Sequence, residues 1–146
     1  MNNRNVWLLT LSQIFGFSAA TVNVFLGGII GSQLVAIKIL STLPIALFIV
    51  GTAACTVLAS YIMSKFGRKF GFISASIASS LSSLLAAYSI SIESFVFFCI
   101  SCLLMGMGLA FVAQYRFAAS ESVEKEKIPK AISMILLAGI VSAFIG

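Results

Sequence analysis

The sequence predicts an all-α membrane protein, a polytopic helix bundle, from the scarcity of its charges, their spacing and the side of a bilayer to which they fall. Of 146 residues only 9% are charged and 60% are hydrophobic, where a soluble domain would carry roughly a quarter charged residues. Those charges leave uncharged stretches over residues 5–37, 39–64, 70–92, 94–115 and 131–146. A helix needs roughly 20 apolar residues to cross a hydrocarbon core of about 30 Å, so four stretches are long enough and the last falls slightly short.

The first span is expected over about 6–30, with Trp7 at the level of an interfacial aromatic belt. Its uncharged run reaches Ile37, far beyond the roughly 7–15 apolar residues of a secretory signal, so it reads as a span that stays. Gly31, Ser32 and Gln33 offer a short turn before a second span over about 39–63, with Pro44 near its start. The basic cluster Lys65, Arg68 and Lys69 closes that span. A serine-rich third follows over about 70–92, Glu93 marks a short hairpin, and a fourth covers about 95–115. Residues 116–130 hold seven of the thirteen charges and read as the only aqueous loop. Pro129 suits the first turn of a fifth span over about 131–146. Residues 1–146 are thus read as one membrane domain, incomplete at its C-terminus.

Cytoplasmic loops carry the excess of Lys and Arg. With the amino terminus inside, Arg4, Lys65, Arg68, Lys69, Arg116, Lys125, Lys127 and Lys130 all lie on the inner side, and only Lys38 lies outside. The N-terminus is therefore expected in the cytoplasm, most simply of a plasma (inner) membrane. The net charge of +5 is a topology signal, and no nucleic-acid partner is expected. Lys38 either snorkels to the outer interface or lines a cavity.

Composition also limits the chemistry. The chain has no His and no Asp, which removes histidine metal ligands, Ser-His dyads and paired intramembrane aspartates. No catalysis, metal or cofactor is expected. Cys55, Cys99 and Cys102 lie within apolar stretches and read as small hydrophobes in the core, despite the CxxC spacing of the last two.

Helices in lipid associate through small residues and through polar side chains that bond between them. In the first span Gln13, Gly16, Ala20, Asn23 and Gly27 recur at helical spacing and form one small, polar face. Gln13 and Asn23 either bond between helices or contact a solute in a central cavity. Ser76, Ser80, Ser83 and Ala87 offer a packing stripe in the third span, and Gly106, Ala110 and Ala113 one in the fourth. Gly139, Ala143, Ser142 and Gly146 repeat the small-xxx-small spacing in the fifth. No span has an acidic residue away from its ends, so a buried carboxylate for proton coupling is absent from these spans.

The stretch from Tyr61 to Phe72, YIMSKFGRKFGF, resembles the signature loop of the major facilitator superfamily. That pattern reads Gly, three residues, Asp, Arg, any, Gly, Arg, Arg or Lys, and the family places it on the cytoplasmic side between spans two and three. Gly67, Arg68 and Lys69 fit its second half, and Lys65 keeps the preceding positive charge. Ser60 stands for the first glycine, and Ser64 stands for the acidic residue that helps latch the two halves of such a transporter. Ser64 can accept a hydrogen bond from a helix terminus without supplying the charge. In the fourth span Gly106 matches a family Arg-xxx-Gly pattern whose arginine position holds Cys102, and residues 142–146 are similar to the start of a glycine and proline signature.

The resemblance implies part of the N-terminal six-helix half of a secondary transporter, working by alternating access on a small-molecule solute within a lipid bilayer. Its missing partner would be the C-terminal half of the transporter, and the fragment alone is expected not to transport. Gln13 and Asn23 would be cavity residues. Ser64, Lys65, Gly67, Arg68 and Lys69 would form the conformational latch, and Arg116 is either a gating cation or a solvated one. Gly106, Gly139, Ser142 and Gly146 would pack helices. The alternative is a small non-catalytic integral membrane accessory protein; a stop codon after Gly146 would favour it, and a Pro codon followed by further spans the carrier.

Overall fold

Hydrocarbon offers the backbone no hydrogen-bond partners, so an uncharged stretch that crosses it alone must bond to itself as a helix. A computed structural model describes residues 3–35, 38–121 and 123–145. Gly146 and the side chains of Arg4 and Lys38 lie outside the described part. Among the described residues there is no strand, and five helical segments are long and apolar enough to span: Val6–Leu34, Ile39–Phe66, Arg68–Ser91, Phe95–Glu121 and Lys125–Ile145.

Helix α1 covers Asn3–Leu34. The turn expected at Gly31, Ser32 and Gln33 is therefore helical. Gly31 serves close approach instead, because a Cβ there would strike the Ser41 carbonyl oxygen. A 3-10 turn over Lys38–Thr42 leads into α2, Leu43–Phe66. Pro44 falls in the first turn of α2, where its missing N–H costs no hydrogen bond.

Gly67 alone joins α2 to α3, Arg68–Ser91. It has φ 87° and ψ 153°, backbone that side-chain-bearing residues rarely adopt. Three residues then separate α3 from α4, Phe95–Val112. The Ser94 amide donates to the Ser89 carbonyl at 2.9 Å and the Glu93 amide to that of Ile90 at 3.1 Å. This pair of bonds is a Schellman close, with Glu93 at φ 52° in the left-handed position that glycine usually fills. Glu93→Gly is expected to stabilise the chain by about 1 kcal/mol, read as a higher unfolding midpoint in detergent. An unchanged or lower midpoint would show that Glu93 makes a compensating interaction at the hairpin tip.

The fourth span does not end at Tyr115. A two-residue turn at Ala113 and Gln114 interrupts it, and α5 continues over Tyr115–Glu121. The aqueous loop expected over 116–130 is correspondingly shorter, and its first six residues are helical. Ala118 and Ala119, good helix formers, are buried on the inner side of α5. Helix α6 covers Ile128–Ile145, starting three residues before the expected 131, with Pro129 in its first turn.

The chain divides into two compact units. One comprises Met1–Thr21 and Val112–Gly146, the other Val22–Phe111. In the first, Val6, Ala119, Ala131 and Ile135 form the core, with Leu9, Tyr115 and Met134 against it. Within this unit the Ser18 hydroxyl donates to the Ser142 carbonyl at 3.1 Å, tying α1 to α6.

In the second unit Cys55, Ala59, Met63, Ala75, Ala110 and Phe111 form the core. Two glycines let α2 and α4 touch backbone to backbone. A Cβ on Gly51 would overlap the Leu103 carbonyl oxygen, and one on Gly106 that of Phe48. The Thr52 hydroxyl, at the same crossing, lies 2.9 Å from the Phe48 carbonyl and 3.0 Å from that of Gly106. A Cβ on Gly108 would overlap the Ser79 hydroxyl, so α3 also approaches α4 closely. On α3 the buried face is Gly71, Ala75, Ser82 and Ser89. The expected stripe of Ser76, Ser80, Ser83 and Ala87 is exposed instead. Its three serine hydroxyls donate to carbonyls of their own helix at 2.8–3.0 Å.

Candidate functional site

The small, polar stripe of α1 faces inward, as its spacing implies. Gln13 and Gly27 are buried and Gly16, Ala20 and Asn23 half-buried, while Phe15, Phe25 and Ile29 project outward. Burial of the polar face follows from the cost of placing an amide in hydrocarbon. Gly16 is closely covered, since a Cβ there would stand 2.8 Å from Cγ1 of Val112.

Gln13 is 7% exposed, and its Oε1 is a buried acceptor without a hydrogen-bond partner among the described residues. An acceptor left in that state costs about 1–3 kcal/mol. A solute that brings a donor to Oε1 would recover that cost on binding. Asn23 lies ten residues further along the same helix, about 15 Å of axial rise. Gln114, at the break between α4 and α5, is also buried. Its burial was not foreseen, because a lone Gln beside a basic residue resembles the edge of a loop. Its carbonyl accepts from the amides of Phe117 and Ala118 at 3.1 Å each, which starts α5.

The expected latch loop is almost entirely helix. Ser64 and Lys65 belong to the last turn of α2, Arg68 and Lys69 to the first turn of α3, and only Gly67 is a connector. Ser64 does not cap α3. Its hydroxyl donates to the Tyr61 carbonyl at 2.8 Å, within its own helix. The Lys65 ammonium lies 6.0 Å from the Tyr61 ring centroid and 5.7 Å from that of Phe66, near enough for a cation–π contact. Phe66 and Phe70 flank the glycine with ring centroids 5.7 Å apart. Lys65 and Lys69 are exposed and Arg68 is half-buried, so one tight turn presents three cations at one end of the helix pair.

Arg116 is exposed on α5, its guanidinium 5.3 Å from the Phe117 ring centroid. Of the packing residues, Gly106 lies against the Phe48 backbone of α2. Ser142 is buried, donates to the Gly139 carbonyl at 2.6 Å and receives Ser18. Gly139 itself is not in a close contact, since a Cβ there meets nothing within 4 Å; Gly146 is not described. Gly51 and Gly108 do this work without having been singled out. For Gly51 a signal existed: Gly51, Cys55 and Ala59 follow one another at steps of four.

Apolar helices in series, an inward polar stripe on the first and a tight basic turn between the second and third define a polytopic helical membrane protein. Along most of its length the chain is similar to transporters, two of them named as major facilitator superfamily (MFS)-type. Over 98% of its length it is 34% identical to the riboflavin transporter RfnT of Brucella anthropi, of which it covers 36%. It is 25% identical to two uncharacterized MFS-type transporters of Bacillus subtilis: YdeG, over 92% of the chain and 31% of the relative, and YddS, over 95% and 32%. The chain thus spans about a third of the length of the relatives it matches. No family profile matches the chain, and no solved structure does.

Proposed function

We propose that the chain forms part of a secondary carrier that moves a small solute across the plasma (inner) membrane by alternating access, with its N-terminus in the cytoplasm. The likeness to transporters along 98% of the chain carries this reading. In such carriers two helical halves rock around a central site. Gln13 supports a place for the solute, as a buried acceptor in need of a donor, and Asn23 is the second candidate on the same helix. The Gly67 turn, with Lys65, Arg68 and Lys69, would be the element whose contacts hold one conformation. Arg116 is the candidate gating cation. The solute is a small polar molecule that donates hydrogen bonds, and riboflavin is the first to test, since one relative carries it by name.

Labelled riboflavin uptake into cells expressing the complete reading frame, or only these 146 residues, tests this reading. Saturable uptake is expected from the complete frame and none from the 146-residue chain alone. Gln13→Leu should weaken the apparent affinity about tenfold by removing one hydrogen bond to solute. The same substitution should raise the solute-free unfolding midpoint, because the orphaned acceptor is gone. Uptake by the chain alone, or a stop codon after Gly146 with no companion chain, would overturn the proposal.

A further inference from the structure

Within the unit built from Met1–Thr21 and Val112–Gly146, a cavity of about 390 Å³ opens where α1 and α6 begin. Trp7 of α1, Lys127 and Lys130 give it polar and aromatic walls, and Val6, Ala131 and Met134 an apolar floor. We propose that this cavity binds the phosphate headgroup of an anionic phospholipid.

Its depth in the membrane follows from the helices and does not depend on which way the chain is oriented. The apolar spans Val6–Leu34 and Lys125–Ile145 both start at its walls. Consecutive spans alternate in direction, so the first and fifth start at the same face of the bilayer. The cavity therefore lies at the level of the lipid headgroups, with a tryptophan of the kind enriched there.

Its charge is complementary to phosphate. The Lys127 ammonium is 2.9 Å from a Glu124 carboxylate oxygen, and both side chains are exposed. The hydrogen bond from Lys127 holds the Glu124 carboxyl below its ordinary range, so Glu124 is anionic at neutral pH and offsets the charge of Lys127. Lys130 has no ion-pair partner among the described residues and supplies the net positive charge. The first turn of α6, Ile128–Ile145, adds the positive end of its helix dipole beside the same wall. An apolar floor under two lysines suits an amphiphile, whose acyl chains leave toward lipid while its phosphate stays with the ammonium groups. A freely soluble anion would gain nothing from Val6 and Met134.

Trp7 is the chain's one tryptophan, so its emission reports on the cavity directly. The purified chain, in an uncharged maltoside detergent, is titrated with phosphatidylglycerol, with phosphatidylcholine and with inorganic phosphate. Phosphatidylglycerol should give a saturable change in Trp7 emission, with neither of the others doing so over the same concentrations. Each lysine near an anionic surface contributes about a fivefold factor in affinity, so Lys127→Gln with Lys130→Gln should weaken binding about 25-fold. Lys130→Arg, which keeps the charge, should bind as the parent chain does and guards against a fold defect in the glutamine variants. Equal response to phosphatidylcholine would overturn the proposal in favour of an acyl-chain groove. Equal response to inorganic phosphate would overturn it in favour of a free-anion site. Unaltered phosphatidylglycerol binding by the double glutamine variant would remove the lysines from the interaction and the proposal with them.

Discussion

Gly106→Ala lowers the stability of the chain by about 1–3 kcal/mol, the range for overpacking a closely fitted core, and this is among the largest losses expected of any single methyl addition here. The added Cβ would overlap the Phe48 carbonyl oxygen. A carbonyl held in the backbone of α2 cannot rotate aside as a side-chain end can, so relief requires the two helices to separate. Separation would also lengthen the bond from the Thr52 hydroxyl to the Gly106 carbonyl, now 3.0 Å. The three cysteines, all buried and free, supply the readout, because a thiol-reactive dye labels them only as the chain unfolds. Gly139→Ala is the internal control. Its Cβ meets open space within α6, so only the helix preference of alanine operates and stability should rise by about 0.5–1 kcal/mol. Equal effects at the two glycines would show that the α2–α4 crossing is looser than the structure has it.

Gly67→Ala costs about 1–3 kcal/mol for a different reason. No atom lies within 4 Å of its Cβ position, so crowding contributes nothing. The strain comes from φ 87° with ψ 153°, a conformation left almost entirely to glycine. With a one-residue connector, no neighbouring loop can absorb the change. The turn can relax only by unwinding the end of α2 or the start of α3, which would displace Lys65, Arg68 or Lys69. The expected result is a lower midpoint together with raised proteolytic cleavage at Arg68 and Lys69. A midpoint within 0.5 kcal/mol of the parent, the ordinary range for neutral surface substitutions, would show that the turn has another accessible conformation.

Charge spacing made the spans legible, because a Lys or Glu costs too much in hydrocarbon for the uncharged runs to end anywhere but near the interfaces. The ends themselves were less legible. Gly31 reads as a turn residue but packs within a helix, and Ala118 and Ala119 carry helix beyond the first cation of a charged stretch. The inward face of α1 could be read because its polar residues are large: Gln13 and Asn23 can face only protein or water. On α3 that test fails. Serines lie on every side of it, a serine hydroxyl bonds to its own helix wherever it points, and hydropathy does not separate Ser76 from Ser82. The contact partners decide, and those lie on α2 and α4. The orphaned state of Gln13 Oε1 was likewise beyond the sequence, since it depends on what surrounds one oxygen.

The outer serines of α3 have one more consequence. Ser76, Ser80 and Ser83 spend their protons inside the helix, which leaves a surface that is narrow in side-chain bulk and makes no directional demand on whatever lies beside it. A neighbour there, lipid tail or helix, can glide along this face or lift away without rupturing a specific bond. Such a face behaves as a bearing, whereas the interlocked glycines between α2 and α4 behave as a rivet.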